Sequence, residues 1–106
     1  MPDARINVPA TVPRGKPFEV RILIRHPMET GYRMDEGGKA IPRNVVRSFA
    51  CRYNGDAVFS ARLSSGIAAN PYLRFFVTAR ESGPLAIEWL DDGGVRGSES
   101  VTVTVV

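Results

Sequence analysis

The segment His26–Arg33 carries the side chains of this chain that are best suited to chemistry. It places an imidazole, a thioether, a carboxylate, a phenol and a guanidinium within eight residues. A connecting loop needs only turn-forming residues such as Gly, Pro, Asn and Asp. Because binding and catalytic residues concentrate on loops held by a rigid scaffold, we interpret the segment as a site of recognition or reaction. The alternative is that the segment is only a Pro/Gly turn whose charged side chains are solvated and have no function.

Two kinds of chemistry fit these residue types. His26 and Glu29 could act as a general base and the carboxylate that orients it, although no motif places a Ser or Cys nucleophile beside them. His26, Met28 and Met34 offer the imidazole and thioether ligands that suit Cu(I). A copper-binding β-sandwich that uses His26 and Met28 is therefore an alternative function.

The lone cysteine, Cys51, limits what the chain can do by itself. One cysteine excludes an intrachain disulfide and a metal site built on cysteines. Cys51 falls within a predicted strand, on the face shared with Phe49 and Tyr53, so we interpret it as a small buried apolar residue and not as a nucleophile. With His26 as the one histidine, the residues predict no catalytic constellation, no cofactor and no metal site.

Length and charge narrow the class of protein further. The 106 residues fit a single domain, which we assign to 1–106. The net charge of +3 comes from scattered basic residues, whereas nucleic-acid binding requires a basic stripe or run. No apolar stretch approaches the roughly 20 residues that span a bilayer, and the N-terminus lacks the apolar region of a secretory signal. We therefore expect no nucleic-acid partner, no membrane span and no signal peptide in this chain.

An apolar/polar alternation with a period of two residues dominates the sequence and predicts half-buried strands. Asn54-Gly55 is typical of a type I′ hairpin turn, and Asp91-Asp-Gly-Gly94 of a second turn with solvated acids. Ser64–Pro71 is rich in Gly, Ser and Pro and is predicted to be a loop. The pattern predicts an all-β fold, an immunoglobulin-like antiparallel β-sandwich of about seven strands, with strands at Ala4–Val8, Phe18–Arg25, Asn44–Tyr53, Ala57–Leu63, Tyr72–Ala79, Leu85–Leu90 and Arg96–Val105.

The terminal segment Ser100–Val106 ends the chain as a strand. At a sheet edge its N–H and C=O groups would be open to pairing with another chain. A homodimer of the isolated chain is therefore one expected assembly.

Several ordered motifs together resemble one protein family, the Z subunits (SoxZ) of the Sox thiosulfate-oxidation carrier complex. They keep the family's order and cover nearly the whole chain. The motifs are His26-Pro-Met-Glu-Thr-Gly31, Arg33, Ile41-Pro-Arg-Asn44, Tyr53-Asn-Gly55, Ala69-Asn-Pro-Tyr72, Glu81-Ser-Gly83 and Trp89 followed by Asp91-Asp-Gly-Gly94.

The resemblance implies a small β-sandwich that binds a companion Y subunit (SoxY). That companion carries the sulfur substrate on a cysteine of its flexible, Gly-rich C-terminal arm, and the SoxYZ complex meets other Sox enzymes transiently. It also implies a periplasmic location, reached by export with the partner, whose signal is of the twin-arginine type. The C-terminus of this chain, Val101–Val106, contains neither Cys nor Gly, so the chain resembles the scaffold subunit and not the carrier.

Under this reading the chain is not an enzyme, and its loops serve a partner. The loops His26–Arg33 and Ala68–Tyr72 are expected to lie together, because loops cluster at the two ends of a β-sandwich. Arg and aromatic residues are natural anchors of protein interfaces. The predicted partner-binding residues are His26, Met28, Glu29, Tyr32, Arg33, Asn70 and Tyr72.

Overall fold

The period-two pattern produces seven strands in the computed structural model, which describes residues 4–29, 31–63 and 70–106. Each strand agrees with its predicted bounds to within two residues. Of the predicted loop Ser64–Pro71, residues 64–69 lie outside the described residues. The strands are β1 (Ala4–Asn7), β2 (Pro17–Ile24), β3 (Val46–Tyr53), β4 (Asp56–Arg62), β5 (Tyr72–Thr78), β6 (Gly83–Asp91) and β7 (Arg96–Val103).

The strands form two antiparallel sheets, which confirms the predicted immunoglobulin-like sandwich. One sheet has three strands in the order β1-β2-β5, and the other has four in the order β4-β3-β6-β7. Local hairpins supply the β3–β4 and β6–β7 pairs. Asn54 and Gly55 have φ angles of 50° and 85°, as the predicted type I′ turn between β3 and β4 requires.

The core lies between the sheets and is built from the inward-facing row of each strand. Phe18, Val20, Ile22 and Ile24 of β2 are all buried. Three phenylalanines from three strands meet within the core. Phe59 and Phe75 stack with centroids 4.2 Å apart, and Phe49 lies 6.1 Å and 6.3 Å from them. Because burying one such ring contributes roughly 1.5–3 kcal/mol, this cluster stabilises the contact between the sheets.

Gly97 explains how Trp89 fits into the four-stranded sheet. The two residues are directly opposed in the β6–β7 register. A Cβ at Gly97 would overlap the indole ring of Trp89. A glycine within a strand often marks such a close approach, and here Gly97, the second residue of β7, lets Trp89 lie buried across that strand.

The terminal strand β7 lies at a sheet edge, which is the condition for the pairing considered from the sequence. Just beyond it the chain pairs with the segment around Val12. The Val12 N–H donates to the Thr104 carbonyl at 2.9 Å, and the Val106 N–H donates to the Val12 carbonyl at 3.0 Å. This pairing covers the last residues, so any pairing of a second copy along β7 is left to Arg96–Val103. The homodimer stays a prediction.

Candidate functional site

The two predicted loops meet at one end of the sandwich. The Asn70 N–H donates to the His26 carbonyl at 2.7 Å, and the Asn70 side-chain oxygen accepts from the His26 N–H at 2.9 Å. Asn70 itself has a φ angle of 53°, a conformation that Asn tolerates better than most residues. This reciprocal pair confirms that the His26 loop and the described part of the second loop lie side by side.

His26 is buried at this end and uses both ring nitrogens within the chain. Its Nδ1 accepts the Met28 N–H at 3.0 Å, and its Nε2 lies 3.2 Å from Asp91 Oδ2. Because Nδ1 accepts a hydrogen bond, the proton of the neutral ring is assigned to Nε2, which donates to Asp91. With both nitrogens engaged, the imidazole holds two segments together and offers no lone pair to a substrate.

Asp91 is buried, and this corrects the prediction that it belongs to a solvated turn. Its Oδ1 accepts the Val95 N–H at 2.9 Å, which closes the β6–β7 turn, while its Oδ2 faces His26. Burial raises the pKa of the Asp91 carboxyl, but hydrogen bonds from Val95 and His26 outweigh burial and leave the pKa below its ordinary value. The carboxylate therefore joins the His26 loop to the β6–β7 turn.

Met28 holds the His26 loop against β3. Its side chain is buried, its φ angle is 51°, and its sulfur accepts the Val46 N–H at 3.2 Å. A positive φ is uncommon outside Gly and Asn and persists where surrounding structure enforces it. Glu29 and Asn44 then exchange two backbone hydrogen bonds of 2.8 Å and 2.9 Å, so the loop is anchored on both sides.

Of the other predicted partner-binding residues, four are exposed: Tyr32, Arg33, Asn70 and Tyr72. Glu29 is half-buried and receives a forked pair of hydrogen bonds from Arg33. The hydrogen bond from Arg33 lowers the pKa of the Glu29 carboxyl below its ordinary value. The structure thus brings the seven residues to one end, where buried His26 and Met28 position the loop and the rest form its surface. Their role in partner binding stays a prediction.

Asp92 adds an electrostatic feature that sequence reasoning missed. Arg43 and Arg47 each place Nε 3.5 Å from its carboxylate. Its Oδ2 also accepts the Val45 N–H at 3.1 Å. These contacts join the β6–β7 turn to the first residues of β3 and to the segment before them. In the sequence, only the motif Ile41-Pro-Arg-Asn44, which contains Arg43, pointed to this region.

The residues considered for copper do not come together as one ligand set. Met28 is buried with its sulfur engaged, His26 has both nitrogens engaged, and Met34 is exposed beside Ala40 in the following arm. Across residues 4–29, 31–63 and 70–106, no group of three His, Cys, Asp or Glu side chains is placed to hold a metal ion. In the same ranges, no helix is long and apolar enough to cross a bilayer.

Cys51 lies in β3 with no exposed surface, as predicted. Burial raises the pKa of its thiol to about 11. Because only the thiolate is nucleophilic, we expect the native chain at pH 8 to react with iodoacetamide at least about 100-fold more slowly than a free thiol. The same chain in urea is the control and should react at the ordinary rate. Rapid labelling of the folded chain, followed by mass spectrometry, would contradict this burial.

Solved structures similar to this chain share its fold at low sequence identity. A superoxide reductase (neelaredoxin) from Ignicoccus hospitalis matches with a TM-score of 0.75 and 18% identity, over 97% of this chain and 80% of that one. A putative superoxide reductase from Thermotoga maritima matches with a TM-score of 0.73 and 14% identity, over 97% and 85%. The sulfur carrier protein SoxY from Chlorobium limicola f thiosulfatophilum matches with a TM-score of 0.68 and 12% identity, over 98% and 79%. At these identities the likeness concerns the fold alone.

The chain is an immunoglobulin-like β-sandwich. At one end of the sandwich, the loop His26–Arg33 is held in place by the buried side chains of His26, Met28 and Asp91. The family model described as sulphur oxidation protein SoxZ matches residues 6–102. The chain therefore belongs to the SoxZ family, which places it in sulfur oxidation. No curated protein sequence matches the chain.

Proposed function

We propose that this chain is a non-catalytic scaffold subunit that binds a SoxY-like sulfur carrier and forms with it the SoxYZ complex of thiosulfate oxidation. The observation that carries the proposal is the SoxZ family match over residues 6–102. The solved SoxY structure shares the same fold. Two related sandwiches of this size can form a stable pair by burying roughly 1,200–2,000 Å² in total.

The reactive groups of the chain support a scaffold role. A sulfur carrier needs a thiol that several enzymes can reach, whereas Cys51 is buried and its pKa is about 11. A general base needs a free lone pair within reach of its substrate, whereas His26 is buried and both its nitrogens are engaged. The sulfur substrate is then held by the companion, and this chain supplies a rigid surface.

Copurification with the companion tests the proposal. A tagged form of this chain, produced together with the Y-type subunit of the same organism, should recover that subunit in a one-to-one complex. The variant Cys51→Ala removes the lone thiol and should leave both the complex and thiosulfate oxidation within about twofold of the wild type, because a Cys-to-Ala change in a core is small in volume. Recovery of this chain alone, or loss of turnover in a folded Cys51→Ala chain, would contradict the proposal.

The location belongs to the same proposal. We expect the complex in the periplasm, with this chain exported while bound to its companion. Cell fractionation should find both subunits there, and deletion of the companion's twin-arginine signal should retain both in the cytoplasm. Periplasmic recovery of this chain when the companion is absent would contradict export as a complex.

A further inference from the structure

The outer face of the three-stranded sheet displays large apolar side chains beside arginines. Phe76 is 63% exposed, Tyr72 is 57% exposed and Leu23 is 37% exposed. Along β5, inward Leu73, Phe75 and Val77 alternate with outward residues. The outward row of β5 joins that of β2 to form what we call the Phe76 stripe, which consists of Glu19, Arg21, Leu23, Tyr72, Arg74 and Phe76.

The β2–β5 register makes the Phe76 stripe continuous. Leu23 is opposite Tyr72, Arg21 is opposite Arg74, and Glu19 is opposite Phe76. Directly opposed residues on one face of a sheet have Cβ atoms about 4.5–5.5 Å apart. The Glu19 carboxylate pairs with Arg21 and lies 3.4 Å from Arg74 Nε. The charged centre is thus ordered, with apolar groups at both of its ends.

This composition is that of an interface and not of an ordinary solvated sheet. Single exposed apolar residues are normal, but here three large apolar side chains share one sheet face and flank a row of paired arginines. Aromatic residues and Arg are also the residue types enriched in interfaces and in their hot spots. The outer face of the four-stranded sheet differs, because small residues line a shallow depression in its middle, among them Ala50, Ser60 and Ser98.

The charge of this face selects the kind of partner. Arg5 of β1 lies opposite Leu23 and is also exposed. Arg5, Arg21 and Arg74 against the carboxylate of Glu19 give these four side chains a formal charge of +2 (three cations minus one anion). A two-fold contact between two copies would bring the same arginines together, and like charges across an interface are costly. The occupant is therefore a different protein with an acidic and apolar surface.

We infer that the Phe76 stripe is the docking surface for the sulfur-carrier subunit, which meets it with a face of carboxylates around an apolar patch. The inference rests on the proposed function and identifies the surface of this chain that binds the companion. It also gives predicted Tyr72 a role, because Tyr72 lies at the end of the stripe next to Asn70 and the His26 loop. The docked subunit would then lie beside the rigid loop end of the sandwich.

The first test compares two equally exposed residues. The variant Phe76→Thr should weaken binding of the purified companion about 30-fold, as expected for loss of an aromatic hot spot. Thr keeps the propensity for strand, so the melting temperature should stay near that of the wild type. Val95 is also 63% exposed but lies in the β6–β7 turn, and the control Val95→Thr should change the dissociation constant less than about twofold.

The second test addresses charge. Arg74→Glu should weaken binding at least about 10-fold at low salt, because it places a carboxylate against the acidic face of the companion. The matched control is Arg96→Glu on exposed Arg96 of the other sheet, with an expected change below about twofold. Raising the salt concentration should weaken wild-type binding and reduce the difference between wild type and Arg74→Glu.

The outcomes separate this inference from the proposed function. If the wild-type chain does not bind the companion, the proposed function fails. If it binds and the folded Phe76→Thr and Arg74→Glu variants bind equally well, the docking surface is overturned and the scaffold role stands. If Phe76→Thr converts a dimer of the isolated chain to a monomer in sedimentation without affecting the companion, a second copy occupies the stripe and the inference is wrong.

Discussion

Replacing Asp91 with Ala should lower the free energy of unfolding by about 4 kcal/mol, because it breaks a buried pair and leaves partners without acceptors. His26 Nε2 and the Val95 N–H both depend on this carboxylate, and both His26 and Asp91 are buried. Urea unfolding followed by tryptophan fluorescence measures the change. Trp89 lies on β6, the same strand as Asp91, so its fluorescence should report the loss of structure around Asp91.

Two further variants show whether the hydrogen bonds are responsible. Asp91→Asn keeps an acceptor for Val95 but turns an N–H toward the His26 Nε2–H, so we expect about 2 kcal/mol of destabilisation. Asp35→Ala is the control, because Asp35 Oδ1 accepts turn hydrogen bonds from Gly37 and Lys39 at an exposed site. It should cost less than about 1 kcal/mol. Equal effects at Asp91 and Asp35 would contradict the role of burial.

The pH dependence of stability has a definite sign at Asp91. The pKa of its carboxyl in the fold is below the ordinary value, so protons bind the unfolded chain more readily. The contribution of Asp91 to the free energy of unfolding is therefore complete above about pH 4, the ordinary pKa range of an aspartate. It is lost as the pH falls through the lowered pKa of the folded chain. Asp91→Asn should therefore remove part of the acid destabilisation seen in the wild type. If the wild type and Asp91→Asn lost stability identically as the pH is lowered, Asp91 would not be a source of the acid destabilisation.

Replacing Phe49 with Ala should cost about 4 kcal/mol, the range expected when a buried aromatic ring leaves a cavity. Phe49 is buried between Phe59 of its own sheet and Phe75 of the other. In a domain of this size the melting temperature should fall by about 20 °C, as read by circular dichroism. Val58→Ala is the control, because Val58 lies on β4 with 38% of its surface exposed. A change of only a few degrees for Phe49→Ala would mean that the sheets are not joined there.

Strands and hairpins could be predicted from the sequence because each follows from a local pattern. The alternation in β2 and the Asn54-Gly55 turn are carried by neighbouring residues, and both are confirmed. The pairing of β2 with β5 could not be predicted, since Phe18 meets Val77 across most of the chain. The division into sheets of three and four strands depends on that pairing, and so does the Phe76 stripe.

The buried contact of His26 with Asp91 was missed although the alternation contained a signal for it. The inward row Phe18 to Ile24 continues at every second residue to His26 and Met28, and all of these are buried. The row Leu85, Ile87, Trp89 continues likewise to Asp91. The prediction of a solvated turn for Asp91 rested instead on the Asp-Asp-Gly-Gly composition of residues 91–94, which is typical of turns. A histidine and an aspartate that each extend an inward row are candidates for a buried pair.

The most direct test of the scaffold role is the intact mass of each subunit during thiosulfate turnover. We expect sulfur adducts on the companion and an unmodified mass for this chain, because its lone thiol is buried with a pKa of about 11. Adducts that map to Cys51 while the companion remains unmodified would contradict the scaffold role.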